Sequence, residues 1–164
     1  MNTGQMMLTI GALILLSTLM LRVNTNNLQT DTIRSEAQYG VIATSIITSI
    51  IEEAKSLAFD AKTDTNTVTN ISQLTPASSL GPGGGETYDT FNDFDDFNGY
   101  TRVDSTMPSA VFEVYCEVYY INKNSLMIKY NSRTWHKRIF IRISSEFMKD
   151  TITQSSIYSY WYFR

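Results

Sequence analysis

Apolar and polar positions follow three different rules along this chain. From Met6 to Leu21 nearly every residue is apolar, and no Lys or Arg comes before Arg22. Further on, the apolar positions recur at steps of three and four: Ile33, Ala37, Val41, Ile42, Ile46, Ile47, Ile50, Ala54, Leu57 and Ala58. Such spacing is one face of an α-helix, and Glu36, Glu52, Glu53 and Lys55 fall off it. Beyond Ala110 the pattern changes again, to short runs rich in Val, Ile and aromatic residues that read as strands.

No proline precedes Pro76, so the first two patterns predict one helix from about Gln5 to Phe59. A typical globular helix has only about 11–12 residues. Asn24-Thr25-Asn26-Asn27, four poor helix formers just past the apolar stretch, mark the expected place for a break. From residue 60 the chain turns polar, and Gly81-Pro82-Gly83-Gly84-Gly85 is its strongest breaker. Strands are expected over Ala110–Ile121, His136–Ile143 and Ile152–Phe163, with a turn at Asn122–Ser125. Leu126 to Tyr130 either extends a hairpin or forms an excursion. In His136–Ile143 basic and apolar residues alternate, which predicts partial cover on both faces. The expected fold is α+β: a long N-terminal helix with a protruding apolar half, its C-terminal half packed on a small antiparallel sheet. The expected divisions are 1–59 (helix, with 1–23 as a membrane or filament-core segment), 60–109 (connector) and 110–164 (sheet head).

Three readings compete for the apolar start. A signal peptide needs a positive n-region and a small-x-small cleavage site, and the sequence offers neither. An N-in anchor should carry its Lys and Arg on the cytoplasmic side, whereas Arg22 and Arg34 lie beyond the segment. A chain whose basic leader has already been removed before Met1 accounts for the missing charge. Sixteen residues, Met6 to Leu21, fall a little short of the ~20 that cross a bilayer, and Gly4, Gln5 and Val23 extend the run.

Composition narrows the function classes. A net charge of −3 gives no bulk attraction to nucleic acid or anionic lipid. One cysteine, Cys116, excludes an internal disulfide framework and a Cys-rich zinc site, and is read as a small buried apolar side chain. No phosphate-binding glycine loop, GxSxG or HExxH occurs, and the lone histidine, His136, lacks a partner nucleophile motif. No enzyme activity is expected.

The stretch MNTGQMMLTIGALILLSTLML resembles the processed N-terminus of a type IV pilin or pseudopilin, over roughly the first 60 residues in architecture. Asn92-Asp93-Phe94-Asp95-Asp96-Phe97-Asn98-Gly99-Tyr100 is similar to an acidic loop of several minor pilins. Trp135 to Ile143 is similar to the strand that follows it. The chain departs from the pattern at Gln5, where the family has glutamate, and at Arg22, where a proline is common. Gln5 accepts a hydrogen bond but offers no charge-assisted pair to a neighbour's amine.

The resemblance implies a structural subunit of an extracellular filament, held in the inner membrane before assembly. Its implied partners are copies of itself, the pilus assembly machinery and a prepilin peptidase. The assembly residues are then Met1, Gln5, Met6, Leu8, Ile10, Leu13, Ile14, Leu16 and Leu19. A minor pilin, a secretion pseudopilin and a monomeric, single-pass extracytoplasmic binding protein are the alternatives. Asp89, Asp93, Asp95 and Asp96 form an acidic loop with two readings: a calcium site, because calcium takes six to eight oxygens, or a solvated turn with Phe91, Phe94 and Phe97 tucked inward. The terminal aromatic run, Tyr158 to Phe163, is expected in strand packing and subunit contact rather than in stacking on sugars or bases.

Overall fold

A computed structural model describes residues 2–107 and 110–161. Its elements are helix α1 (Thr3–Ser56), a short helix α2 (Ala61–Thr65), four 3-10 turns, and strands β1 (Thr101–Met107), β2 (Ala110–Asn122), β3 (Ser125–Lys129), β4 (His136–Ser144) and β5 (Ile152–Ser159). The α+β architecture is therefore present: one long N-terminal helix and a small antiparallel sheet. The chain divides into two compact units, Met1–Gln38 and Tyr39–Arg164.

In the first unit α1 runs unbroken through Asn24-Thr25-Asn26-Asn27. The expected break is absent. The Thr hydroxyls there turn back onto the helix: Thr25 Oγ1 donates to the Leu21 carbonyl and Thr30 Oγ1 to the Asn26 carbonyl, each at 2.9 Å. These bonds satisfy the polar side chains within the helical geometry, so low propensity, a weak prior, does not decide.

In the second unit the sheet order is β1-β2-β4-β5, all antiparallel, and β3 pairs with β2 as a hairpin. Leu126 to Tyr130 thus extends a hairpin across the Asn122–Ser125 turn. β2 is the central strand, and its register with β4 runs without slip from Glu113↔Ser144 to Tyr120↔Lys137. Phe112, Val114, Cys116 and Val118 of β2 and Ile139, Ile141 and Ile143 of β4 make one buried face. The helical residues Ala43, Ile47, Ile50, Ile51 and Ala54 complete that core with Phe94 and Phe97. Burying such side chains is worth ~1.5–3 kcal/mol each. Cys116 is fully buried, and burial pushes its thiol up to about 12, as suits an inert core residue.

Two boundaries differ from expectation. Helix α1 stops at Ser56, not Phe59, because Ala58 is claimed elsewhere: its N–H donates to the Asn92 carbonyl (3.3 Å) and its carbonyl accepts from Phe94 N–H (2.8 Å). Strand β1 lies inside the stretch read as connector. Its pattern, Thr101 to Met107, has Val103 as its one β-branched aliphatic residue, and no apolar alternation announces it. The last strand, expected to reach Phe163, ends at Ser159; Tyr162 and Phe163 lie outside the described residues.

Candidate functional site

Two features stand out from the packing, and they are opposite in kind. The first is the apolar surface of the first unit. Met6, Leu8, Ile10, Leu13, Ile14, Leu16 and Leu19 are all half or more exposed, Leu8 at 75%. Gln5 is exposed beside them, and Met1 lies outside the described residues. The uncovered surface continues past Arg22, through Val23, Leu28 and Ile33, each more than half exposed. Helix α1 is long and apolar enough to cross a membrane, and none of its most apolar window is buried.

The second feature is a charge cluster inside the head. Lys137 on β4 has the same parity as Ile139, Ile141 and Ile143, so the pleat sends it into the core, where it is fully buried. Its ammonium donates to the Phe59 carbonyl (2.8 Å), to Asp60 Oδ2 (2.9 Å) and to Asp95 Oδ1, one acceptor for each proton. The rings of Phe59 and Tyr120 flank it, at 4.6 and 5.3 Å from the nitrogen. The expectation of partial cover on both faces of this strand is corrected: one face is sealed, and a lysine stands in it.

Asp60 is placed by the start of α2, which it caps through Lys62 N–H (3.1 Å). It also accepts from Thr75 N–H and Thr75 Oγ1, both at 3.0 Å, and the Tyr120 hydroxyl lies 3.3 Å from Oδ2. Burial alone would push its carboxyl up. The Lys137 charge and hydrogen bond, with the Lys62 and Thr75 amides, outweigh that and hold it below the usual carboxylate range.

Asp93 and Asp96 shape the turn that carries Asp95. Asp93 Oδ1 accepts from Asp95 N–H (2.8 Å), and Asp96 Oδ2 accepts from Asn92 N–H (2.9 Å) and Asp93 N–H (3.1 Å), a capping box on the 3-10 turn Phe94–Phe97. Asn98 then bridges outward, its amide to the Leu80 carbonyl (2.9 Å) and its oxygen from Val118 N–H (3.0 Å). Gly99 takes φ 81, a left-handed conformation that suits glycine. Burial is the main reason that the Asp93 carboxyl is raised well above its ordinary value, with the Asp95 and Asp96 carboxylates adding to it. Asp96 is raised too, again by burial first.

The solvated reading of the acidic loop is corrected for three of its four aspartates. Asp93, Asp95 and Asp96 are buried, not solvated, while Asp89 is exposed. Their oxygens are engaged by backbone amides and by Lys137, and among the described residues no group of three His, Cys, Asp or Glu side chains is arranged to hold a metal ion. Phe94 and Phe97 do point into the core, as expected, and Phe91 packs edge-on against Phe97 at 5.2 Å.

Of the terminal aromatic run, Tyr158 and Tyr160 pack against the head, while Trp161 is 74% exposed. Tyr158 meets Phe59 and Phe94 edge-on, at 5.6 and 5.1 Å, and Tyr160 stacks on Trp135 at 5.6 Å. His136 Nδ1 lies 2.7 Å from Ser159 Oγ across the β4–β5 ladder. The cluster around Lys137 was missed in the sequence, although a basic residue in phase with three isoleucines was its visible sign. No protein-family model, no curated protein and no solved structure matches this chain.

Proposed function

We propose that the chain is a structural subunit of an extracellular, type IV pilus-like filament, which polymerises by burying the apolar face of its N-terminal helix against copies of itself. The observation that carries this reading is the reach of the uncovered surface. It extends from Met6 to Ile33 along an unbroken helix. A bilayer's hydrocarbon accommodates about 20 helical residues. A lone anchor would therefore leave Leu28 or Ile33 in water, whereas neighbouring helices cover the whole length.

The physics of waiting and assembly follows from solvent. About ten such side chains buried from water would contribute ~1.5–3 kcal/mol each. In lipid that gain is absent, so the subunit rests in the membrane until it is extracted, and helix–helix packing then takes over. The second reading, a single-pass anchor bearing a monomeric binding head, draws on the same membrane-length helix.

Sedimentation of the full chain after detergent removal separates the two. Under the filament reading the wild type pellets as polymer, and Leu13→Asp or Leu16→Asp stays in the supernatant with an unchanged near-ultraviolet spectrum from its head. Polymer of wild-type yield from both variants would refute it.

A further inference from the structure

The charge cluster around Lys137 holds more than an ion pair needs. It presents an amine against a carboxylate, a second carboxylate on the same nitrogen, and a third on the first carboxylate, all sealed from water. We propose that Lys137 and Asp95 condense, without any partner enzyme, into an intramolecular isopeptide bond joining Lys137 Nζ to Asp95 Cγ, with release of one water. This inference is independent of the filament reading.

Asp95, not Asp60, is the acyl partner. The Asp60 carboxylate is held as an anion by Lys62 N–H, Thr75 N–H and the Thr75 hydroxyl, and a carboxylate so stabilised resists nucleophilic attack. Asp95 faces the amine on one side and Asp93 on the other, and Asp93 is the carboxyl whose surroundings favour its protonated form. The side chains of Lys137 and Asp60 have no exposure and that of Asp95 has 3%. Water therefore cannot compete for the acyl carbon. The walls are the rings of Phe59 and Tyr120, an environment that favours neutral over charged partners.

The protons balance within the cluster. The Lys137 ammonium passes one proton to the Asp95 carboxylate it touches, which turns two buried charges into two neutral groups. The free amine then attacks Cγ of the neutral Asp95 acid, and the N–C bond forms. Asp93, hydrogen-bonded to Asp95, gives its proton to the departing hydroxyl, the C–O bond breaks and water leaves. The nitrogen then gives its extra proton to the Asp93 carboxylate. Asp60 ends as the anion and Asp93 as the acid, as they began. No oxidant or co-reactant enters.

The bond would close a loop between positions 42 apart in sequence, fastening β4 to the turn before β1. Like a disulfide, such a link removes freedom from the unfolded chain, and it does so with no dependence on redox state. Its position is also fixed by the fold: the amine comes from a strand and the acyl carbon from a turn pinned to residue 58, so the pair meets only after the head has formed.

Tryptic peptide mapping of the folded full chain by mass spectrometry reads this directly. The bond predicts a branched species joining residues 63–102 to residues 134–138, lighter by one water than the two linear peptides together, with no cleavage after Lys137. In Asp93→Asn, whose amide has no proton to give, the branched species is lost or much reduced while the head keeps its near-ultraviolet spectrum. Two linear peptides of full mass from folded wild-type protein, with cleavage at Lys137, would overturn the proposal and leave an ion pair only. A branched species formed as fully in Asp93→Asn would overturn the role given to Asp93.

Discussion

Helix α1 carries two stretches that obey the hydrophobic effect in opposite ways. Between Tyr39 and Ser56 its apolar residues are sparse and periodic, and the best of them, Ala43, Ile47 and Ala54, have no exposure at all. Between Met6 and Leu21 they are dense and unpatterned, and every large one is half or more exposed. The more apolar stretch is the uncovered one. Periodicity belongs to a helix with one partner face, which here is the sheet. Apolarity all round belongs to a helix surrounded by lipid or by other helices. The two stretches therefore separate the contacts the chain makes with itself from the apolar surface it leaves uncovered.

Substitutions should divide along the same line. The largest effect is expected from a charge in the uncovered stretch: Leu13→Asp should eliminate polymer altogether, as sedimentation would register, while the head's unfolding transition stays within about 0.5 kcal/mol of wild type. A loss of head stability comparable to a core mutation would blur the comparison.

Next comes Lys137→Met, which takes the buried nitrogen away from Asp60 and Asp95 and leaves both carboxyls without it. Removing one member of a buried cluster in this way destabilises by about 3–5 kcal/mol at the least, to be checked by urea unfolding. Ile47→Ala opens a cavity between α1 and the sheet and should lower head stability by ~2–5 kcal/mol. The chemically similar Ile33→Ala, in the uncovered stretch, should cost the head nothing measurable in the same assay.

The smallest effect is a pH slope. Asp93 binds its proton more tightly in the folded head than in the unfolded chain. Its favourable contribution is therefore present below the unfolded carboxylate value of ~3.9 and declines as pH rises from there toward the raised folded value. Asp93→Asn keeps an oxygen to accept from Asp95 N–H but has no proton to lose. Its stability should fall less steeply than that of wild type over this range, by about 1.4 kcal/mol per unit of pKa difference. Parallel pH profiles for the two proteins would remove Asp93 from the account.

Legibility in the sequence tracked how local the governing forces are. The helical stripe at Ile46, Ile47, Ile50 and Ala54, the strands β2 and β4 and the turn at Asn122–Ser125 rest on periodicity and turn chemistry, and they were readable. The unbroken helix through Asn24–Asn27 was not, because single-residue propensity is a weak prior that a run of four residues does not make decisive. β1 was hidden for a different reason: an edge strand with polar residues on both faces owes its place to pairing with β2. The acidic loop misled most. Asp93, Asp95 and Asp96 look like solvated or metal-bound oxygens until Lys137, 42 positions from Asp95, is brought against them by the sheet. Composition alone does not reveal a long-range ion pair. Met6, Leu8, Ile10, Leu13, Ile14, Leu16 and Leu19 were legible as apolar, and the structure adds that the chain itself leaves them uncovered.

The most direct test of the central claim is electron microscopy of the full-length wild-type chain after its detergent is withdrawn. The account predicts helical polymers of uniform diameter, with the folded heads intact. Dispersed monomers that remain soluble with residues 6–33 exposed, or amorphous aggregate without helical order, would contradict it.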